Sequence, residues 1–294
     1  MAELRSLITA MVTPFDADLR VDYDRAAELA RRIAAAGSDV LVAGTTGESP
    51  TLSDEEKLEL FRVVRAAVGP EAAVMAGTGG NCTAHSVHLT EEATAIGVDA
   101  IMLVGPYYNK PSAEGFYQHF KTVAAATHLP VVLYNVPGRT GKNIDAATTL
   151  RLAREVPNVV GIKEASGDLE QIATIIAGAP EGFRVWSGDD NMTLFVLALG
   201  GVGVISMASH VAAREIAEMI SSFQAGDVKA AAAMHHRLMP LFKAIFLPSG
   251  NPACIKRALE ICGFPVGGTR LPLVPASEAD TATIRAACVS LGLA

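Results

Sequence analysis

Basic runs, aromatic side chains and paired cysteines are what this chain has least of. Aromatic residues make up 5%, with one tryptophan, and the formal net charge is −7. A mildly acidic chain with no cluster of Lys and Arg offers nothing to a phosphate backbone or an anionic bilayer, so nucleic-acid and membrane partners are not expected. The four cysteines are Cys82, Cys254, Cys262 and Cys288. None form a CxxC pair or a Cys/His cluster, and the histidines show no HExxH pattern. Free thiols of a reducing compartment and no metal site are the expectation. Met1 to Pro14 lacks the basic start, long apolar middle and small-residue cleavage site of a signal peptide. The stretch 191–213 contains no Asp, Glu, Lys or Arg, and its length could cross a bilayer. Gly200, Gly201 and Gly203 interrupt it, and Ser206, Ser209 and His210 follow. It reads instead as a helix, a glycine turn and a buried strand, and a cytoplasmic protein is expected.

What the chain does have is a recurring unit. Half of it is apolar, and the Val- and Ile-rich runs are Leu7–Pro14, Asp39–Gly44, Ala73–Gly79, Ala100–Pro106, Pro130–Pro137, Val159–Ser166, Phe183–Asp190 and Gly201–Ala208. The runs are near-continuous rather than alternating, as in strands covered on both faces of a parallel sheet. Their spacing leaves room for a crossover helix after each. Asp22–Ala36 carries apolar residues at helical spacing before Gly37. Ser53-Asp54-Glu55-Glu56 is a capping box opening a helix through Val68. Eight strand–helix units closing on themselves predict an α/β fold of the (β/α)8, or TIM, barrel type. The rival, an open doubly wound sheet, should carry a nucleotide fingerprint, and Gly77-Thr-Gly79-Gly80-Asn-Cys82 does not match GxGxxG. Beyond Gln224 the strand-like runs stop. Val228–Phe246 and Pro252–Cys262 read as helices around the breaker 247–251. The expected division is a catalytic barrel over 1–224 and a helical appendage over 225–294.

Catalytic groups of such a barrel sit at the C-terminal ends of its strands, and the chemically informative residues fall there. The second run ends in Gly44-Thr45-Thr46-Gly47-Glu48-Ser49 and the fourth in Pro106-Tyr107-Tyr108-Asn109. The fifth carries Tyr134 and leads into Gly138-Arg139-Thr140-Gly141, and the sixth contains Lys163. A lysine in a buried strand is either ion-paired or a nucleophile. As a nucleophile its pKa must fall from about 10.4 toward neutrality, which desolvation promotes. Tyr134 is either a core tyrosine with a satisfied hydroxyl or a proton relay. Thr45 and Thr46, between glycines, form either an ordinary turn or a cradle of amides and hydroxyls for a small carboxylate. Arg139 is either solvated or a bidentate carboxylate clamp.

Together, Gly44-Thr-Thr-Gly-Glu-Ser49, Pro106-Tyr-Tyr-Asn-Lys-Pro111, Tyr134-Asn-Val-Pro-Gly-Arg-Thr-Gly141 and Gly161-Ile-Lys-Glu-Ala-Ser-Gly167 resemble the dihydrodipicolinate synthase / N-acetylneuraminate lyase family. Their order and spacing match across essentially the whole chain. The resemblance implies that Lys163 forms a Schiff base with pyruvate and that no metal or organic cofactor is needed. It implies that Tyr134 relays protons, linked through Thr45 to Tyr108, and that the tyrosine at Tyr108 reaches into the neighbouring subunit. A tight dimer, usually paired into a homotetramer, follows. Thr45 and Thr46 would hold the pyruvate carboxylate, and the backbone around Gly188 and Ile205 would line the pocket. Within the family an arginine at Arg139 goes with condensation onto L-aspartate 4-semialdehyde, giving 4-hydroxy-tetrahydrodipicolinate on the route to lysine and diaminopimelate. The alternative is an aldolase or dehydratase of the same family acting on a sugar acid or hydroxy-oxo-acid.

Two features depart from the family pattern. The positions matching an inhibitory lysine site at the dimer interface read Pro50, Asp54, Lys57 and His85, beside Asn81 and Tyr107. Lysine-sensitive relatives commonly have histidines and a glutamate there, so weak or absent inhibition is expected. The segment 248–254, Pro-Ser-Gly-Asn-Pro-Ala-Cys, replaces a common Asn-Pro-x-Pro pattern, and nothing in the sequence assigns it a role.

Overall fold

A computed structural model describes residues 4–294. Eight strands follow in chain order: β1 Leu7–Ala10, β2 Asp39–Val42, β3 Val74–Gly77, β4 Ala100–Val104, β5 Val131–Asn135, β6 Val159–Glu164, β7 Arg184–Ser187 and β8 Gly203–Ser206. Each pairs in parallel with the next, and β8 returns to β1, closing the predicted barrel. The strands are shorter than the apolar runs because each run continues past the last ladder bond into the rim. Asn191–Ala213 contains a short helix, Thr193–Ala198, and then β8. Among the described residues no helix is long and apolar enough to cross a membrane.

Strand alternation sets which side chains enter the barrel. On β4 and β5, Met102, Val132 and Tyr134 join an inner apolar cluster with Ile8, Leu41, Trp186 and Ile205. Ile101, Leu103, Val131 and Leu133 pack outward against the helices. On β6, Ile162 belongs to the outer cluster, so its neighbour Lys163 faces inward and Glu164 outward. The register sets Tyr134 beside Lys163, and Lys163 beside Trp186.

The helices begin where the sequence carries caps. Asp22 caps the helix Tyr23–Ala35, and Ser53 and Glu56 form the reciprocal capping box of Asp54–Val68. After Gln224 come Val228–Ala244 and Ala253–Ile261, as expected, and also a third helix, Glu278–Leu291. Its Ser277 cap was legible, but an alanine-rich segment has little amphipathic contrast. One apolar cluster runs continuously from the barrel's outer face into all three, so the tail is packed onto the barrel. The four cysteines are free thiols.

Candidate active site

The rim between β2, β4 and β5 encloses a cavity of about 240 Å³ lined by Thr45, Ser49, Tyr107, Tyr134, Arg139 and neighbouring small residues. The loop after β2 owes its shape to unusual backbone. Ala43 and Glu48 take left-handed conformations, with φ of 55° and 56°, which cost most non-glycine residues energy. Gly77 on β3 lets that loop come close, since a Cβ there would lie 2.5 Å from the Ala43 carbonyl oxygen. Ser49 N donates to Gly44 O at 3.3 Å and Thr13 Oγ1 to Gly47 O at 2.6 Å, closing the turn.

Lys163 is 4% exposed. Its Nζ lies 4.4 Å from the centre of the Tyr134 ring, and it forms no ion pair with any carboxylate among the described residues. It touches Tyr134 rather than the cavity itself. Desolvation lowers its pKa to about 8, against the opposing charges of Asp189 and Asp190. Burial pushes the Tyr134 phenol up to about 12, while a hydrogen bond with Thr45 favours its ionised form. At neutral pH the site therefore holds an amine with an accessible neutral form beside a protonated phenol, the pair that carbonyl addition and dehydration require.

The other expected residues are placed unevenly. Arg139 is exposed on a short helix, Pro137–Thr140, and lines the cavity. Thr45 also lines it, whereas Thr46 is buried and its Oγ1 accepts from Asn251 Nδ2 at 3.0 Å. Ile205 packs inside the barrel. Gly188 donates to Glu164 O at 2.7 Å, and a Cβ there would fall 2.5 Å from that of Ala165. Tyr108 is not brought to the cavity of its own chain: it is 90% exposed, with φ of 72°. All six positions matched to the lysine site line a second cavity of about 380 Å³. There Lys57 Nζ lies 3.3 Å and His85 Nε2 2.7 Å from the Asp54 carboxylate.

Three features escaped the sequence reading. Asp189 and Asp190 follow β7 after the single residue Gly188; burial raises both, Asp189 to about 6. Two adjacent acids at a strand's C-terminal end were the available signal. Asp190 accepts from Met207 N at 3.0 Å and Ala208 N at 3.2 Å, and from Ser206 Oγ. Behind the rim, Glu164 accepts from Asn135 Nδ2 at 3.0 Å and Gln171 Nε2 at 3.1 Å. Asn135 Oδ1 accepts from Ile144 N at 3.0 Å, fixing the far end of the Arg139 segment. The third is Lys256 of the tail, buried against Glu48 of the β2 loop at 2.7 Å. Among the described residues no group of three or more His, Cys, Asp or Glu side chains is arranged to hold a metal.

The chain matches the dihydrodipicolinate synthetase family over residues 3–290. It is 56% identical over 288 residues to 4-hydroxy-tetrahydrodipicolinate synthase of Moorella thermoacetica, covering 98% of each chain. The lysine-bound dihydrodipicolinate synthase of Cyanidioschyzon merolae superposes with a TM-score of 0.97 at 45% identity, over 99% of each chain. The chloride-inhibited enzyme of Acinetobacter baumannii complexed with pyruvate gives 0.95 at 37% identity, over 99% of this chain and 100% of that one.

Proposed function

The chain belongs to the dihydrodipicolinate synthetase family, and from that premise we propose how its residues divide the labour of the family's reaction. The activity is that of a lyase, condensing pyruvate with L-aspartate 4-semialdehyde to 4-hydroxy-tetrahydrodipicolinate in lysine and diaminopimelate biosynthesis. In our reading the neutral Lys163 amine adds to the pyruvate carbonyl, and loss of water gives an imine. Loss of a methyl proton converts the imine to an enamine, whose carbon attacks the aldehyde. The amine of the second substrate then displaces Lys163, closing the ring. The lysine imine is the electron sink, so no cofactor enters the scheme.

Tyr134 supplies and recovers the protons. Its raised pKa keeps the phenol loaded as an acid, and its bond to Thr45 opens a path outward. Thr45 and Thr46 hold the pyruvate carboxylate, Gly188 and Ile205 bound the pocket, and Arg139 grips the carboxylate of the semialdehyde. Tyr108 acts across a tight dimer. This is supported by a side chain 90% exposed beside an otherwise built site, and by Leu271 at 77% exposure as a second uncovered apolar group. Two such dimers would make the homotetramer, and the enzyme would work in the cytoplasm.

The observation that carries this reading is the buried, unpaired Lys163 amine on the Tyr134 ring. Its test is pyruvate consumption by the purified protein with and without the semialdehyde, alongside borohydride trapping of the pyruvate adduct. Consumption that needs the semialdehyde, with trapping that needs Lys163, is expected. Trapping with pyruvate but turnover only with sugar acids would transfer the chain to the sugar-acid aldolases.

A further inference from the structure

We propose that three residues of the helical tail, Asn251, Lys256 and Arg270, are positioning residues for pyruvate. They hold the β2 loop in the one shape that presents Thr45 and Thr46 to a carboxylate. The inference rests on the reading of those threonines as the carboxylate site.

The loop's own turn bonds, such as Glu48 N to Thr45 O at 3.0 Å, are not all that holds it. Two non-glycine residues in left-handed backbone, Ala43 and Glu48, persist only where the surroundings over-determine them. The tail supplies those surroundings. Lys256 Nζ lies 2.7 Å from Glu48 Oε1 and donates to Gly268 O at 2.6 Å. Arg270 N donates to Glu48 Oε2 at 3.0 Å. The Arg270 guanidinium reaches Thr51 O at 2.9 Å and forks onto Glu56 at 2.8 and 2.6 Å. The loop's far end is thereby tied to the start of the following helix.

Two details aim this clamp at ligand binding rather than at folding alone. Asn251 donates to Thr46 Oγ1 at 3.0 Å, so the Thr46 hydroxyl proton remains free to be given to a carboxylate. Glu48 stands two positions from Thr46 with its carboxylate fully out of water. Unneutralised, it would repel an incoming acid, and Lys256 cancels that charge. The segment 248–254, for which the sequence suggested no role, thus contains the residue that orients a substrate-binding hydroxyl.

The test is the steady-state kinetics of Asn251→Ala, Thr46→Val and their double variant, with melting temperatures. Asn251→Ala is expected to raise the pyruvate KM about fivefold, the scale of one hydrogen bond, and to leave kcat and the semialdehyde KM within about twofold. The double variant should be no worse than Thr46→Val alone, because the two act through one hydroxyl. A lowered melting temperature with an unchanged pyruvate KM, while Thr46→Val raises it, would overturn the clamp and leave the carboxylate site standing. If Thr46→Val itself left the pyruvate KM unchanged, the carboxylate reading would fall and this inference with it. Should Asn251→Ala not fold, Asn251→Ser, which keeps a shorter donor, is read by the same KM and melting measurements.

Discussion

Lys163 and Lys256 are each 4% exposed, yet they are opposite kinds of buried lysine. Lys256 rests 2.7 Å from a carboxylate that is itself shielded from water. Lys163 rests on an aromatic ring, with acids near enough to oppose its pKa shift but none in an ion pair. Burial lowers both pKa values, and Glu48 opposes the fall for Lys256. Burial alone therefore does not make a nucleophile. What separates them is that the fold withholds from Lys163 the partner it gives to Lys256.

The largest expected difference lies in exchanging each for methionine. Lys163→Met should abolish borohydride trapping and lower turnover by on the order of 10³-fold or more, as loss of a covalent nucleophile does. It should not cost stability. Moving an amine from its ordinary 10.5 to about 8 corresponds to about 3 kcal/mol against the folded state at neutral pH. The unfolded chain binds more protons between those two values, so this penalty is complete below pH 8 and relieved as pH rises toward 10.5. Lys163→Met should thus be as stable as the parent at pH 7, or more so by up to about 3 kcal/mol. Denaturant titration at pH 7 and 10 checks this, and a large loss of stability at both would mean that Lys163 is a structural residue.

Lys256→Met should reverse the pattern. Leaving Glu48 charged in the interior without its cation, answered by the Arg270 amide but no ammonium, costs about 3–5 kcal/mol, while trapping at saturating pyruvate survives. Adding Glu48→Gln should restore most of the stability by removing the orphaned charge. Failure of that rescue would locate the role of Lys256 in its bond to Gly268 and its contact with Phe15, 4.2 Å away.

Tyr134→Phe sharpens the same contrast from the phenol's side. It keeps the ring on which Lys163 rests, so trapping should persist, while turnover falls by about 10²–10⁴, the usual worth of a general acid–base group. The trapping rate should fall about tenfold per pH unit below the Lys163 value near 8, in the parent and in Tyr134→Phe alike. A pH-independent rate would show that free amine does not limit the reaction.

The two lysines also mark how far the sequence could be read. Lys163 was legible because a charged residue interrupts a run whose neighbours must be buried, and because strand ends of a barrel share one rim. Lys256 lies in Ala253–Ile261, where Lys-Arg beside Glu reads as a solvated helix face. Only the docking of the tail onto the β2 loop buries it, and that contact spans more than 200 residues of chain, as Asn251 to Thr46 does. Asp189 fell between: it stands on the rim, but the neighbouring Gly188 drew the attention. Tyr108 stands exposed, away from the cavity of its own chain.

The smallest effect expected is none at all, and it concerns Lys57, a third largely buried lysine. In the second cavity Asp54 is the sole carboxylate among the lining residues, and Lys57 and His85 already hold it. A free lysine brings two ammonium groups and one carboxylate. Its ammonium groups would meet Lys57 without a carboxylate to receive them, and desolvating an unpaired charge is costly. Activity should stay flat as lysine is added through the millimolar range. Lys57→Ala removes the competing ammonium, leaves Asp54 held by His85 alone, and should create measurable lysine binding by calorimetry. Strong inhibition of the parent would mean that the Lys57–Asp54 pair opens for the ligand, making this lysine, unlike Lys256, an exchangeable partner.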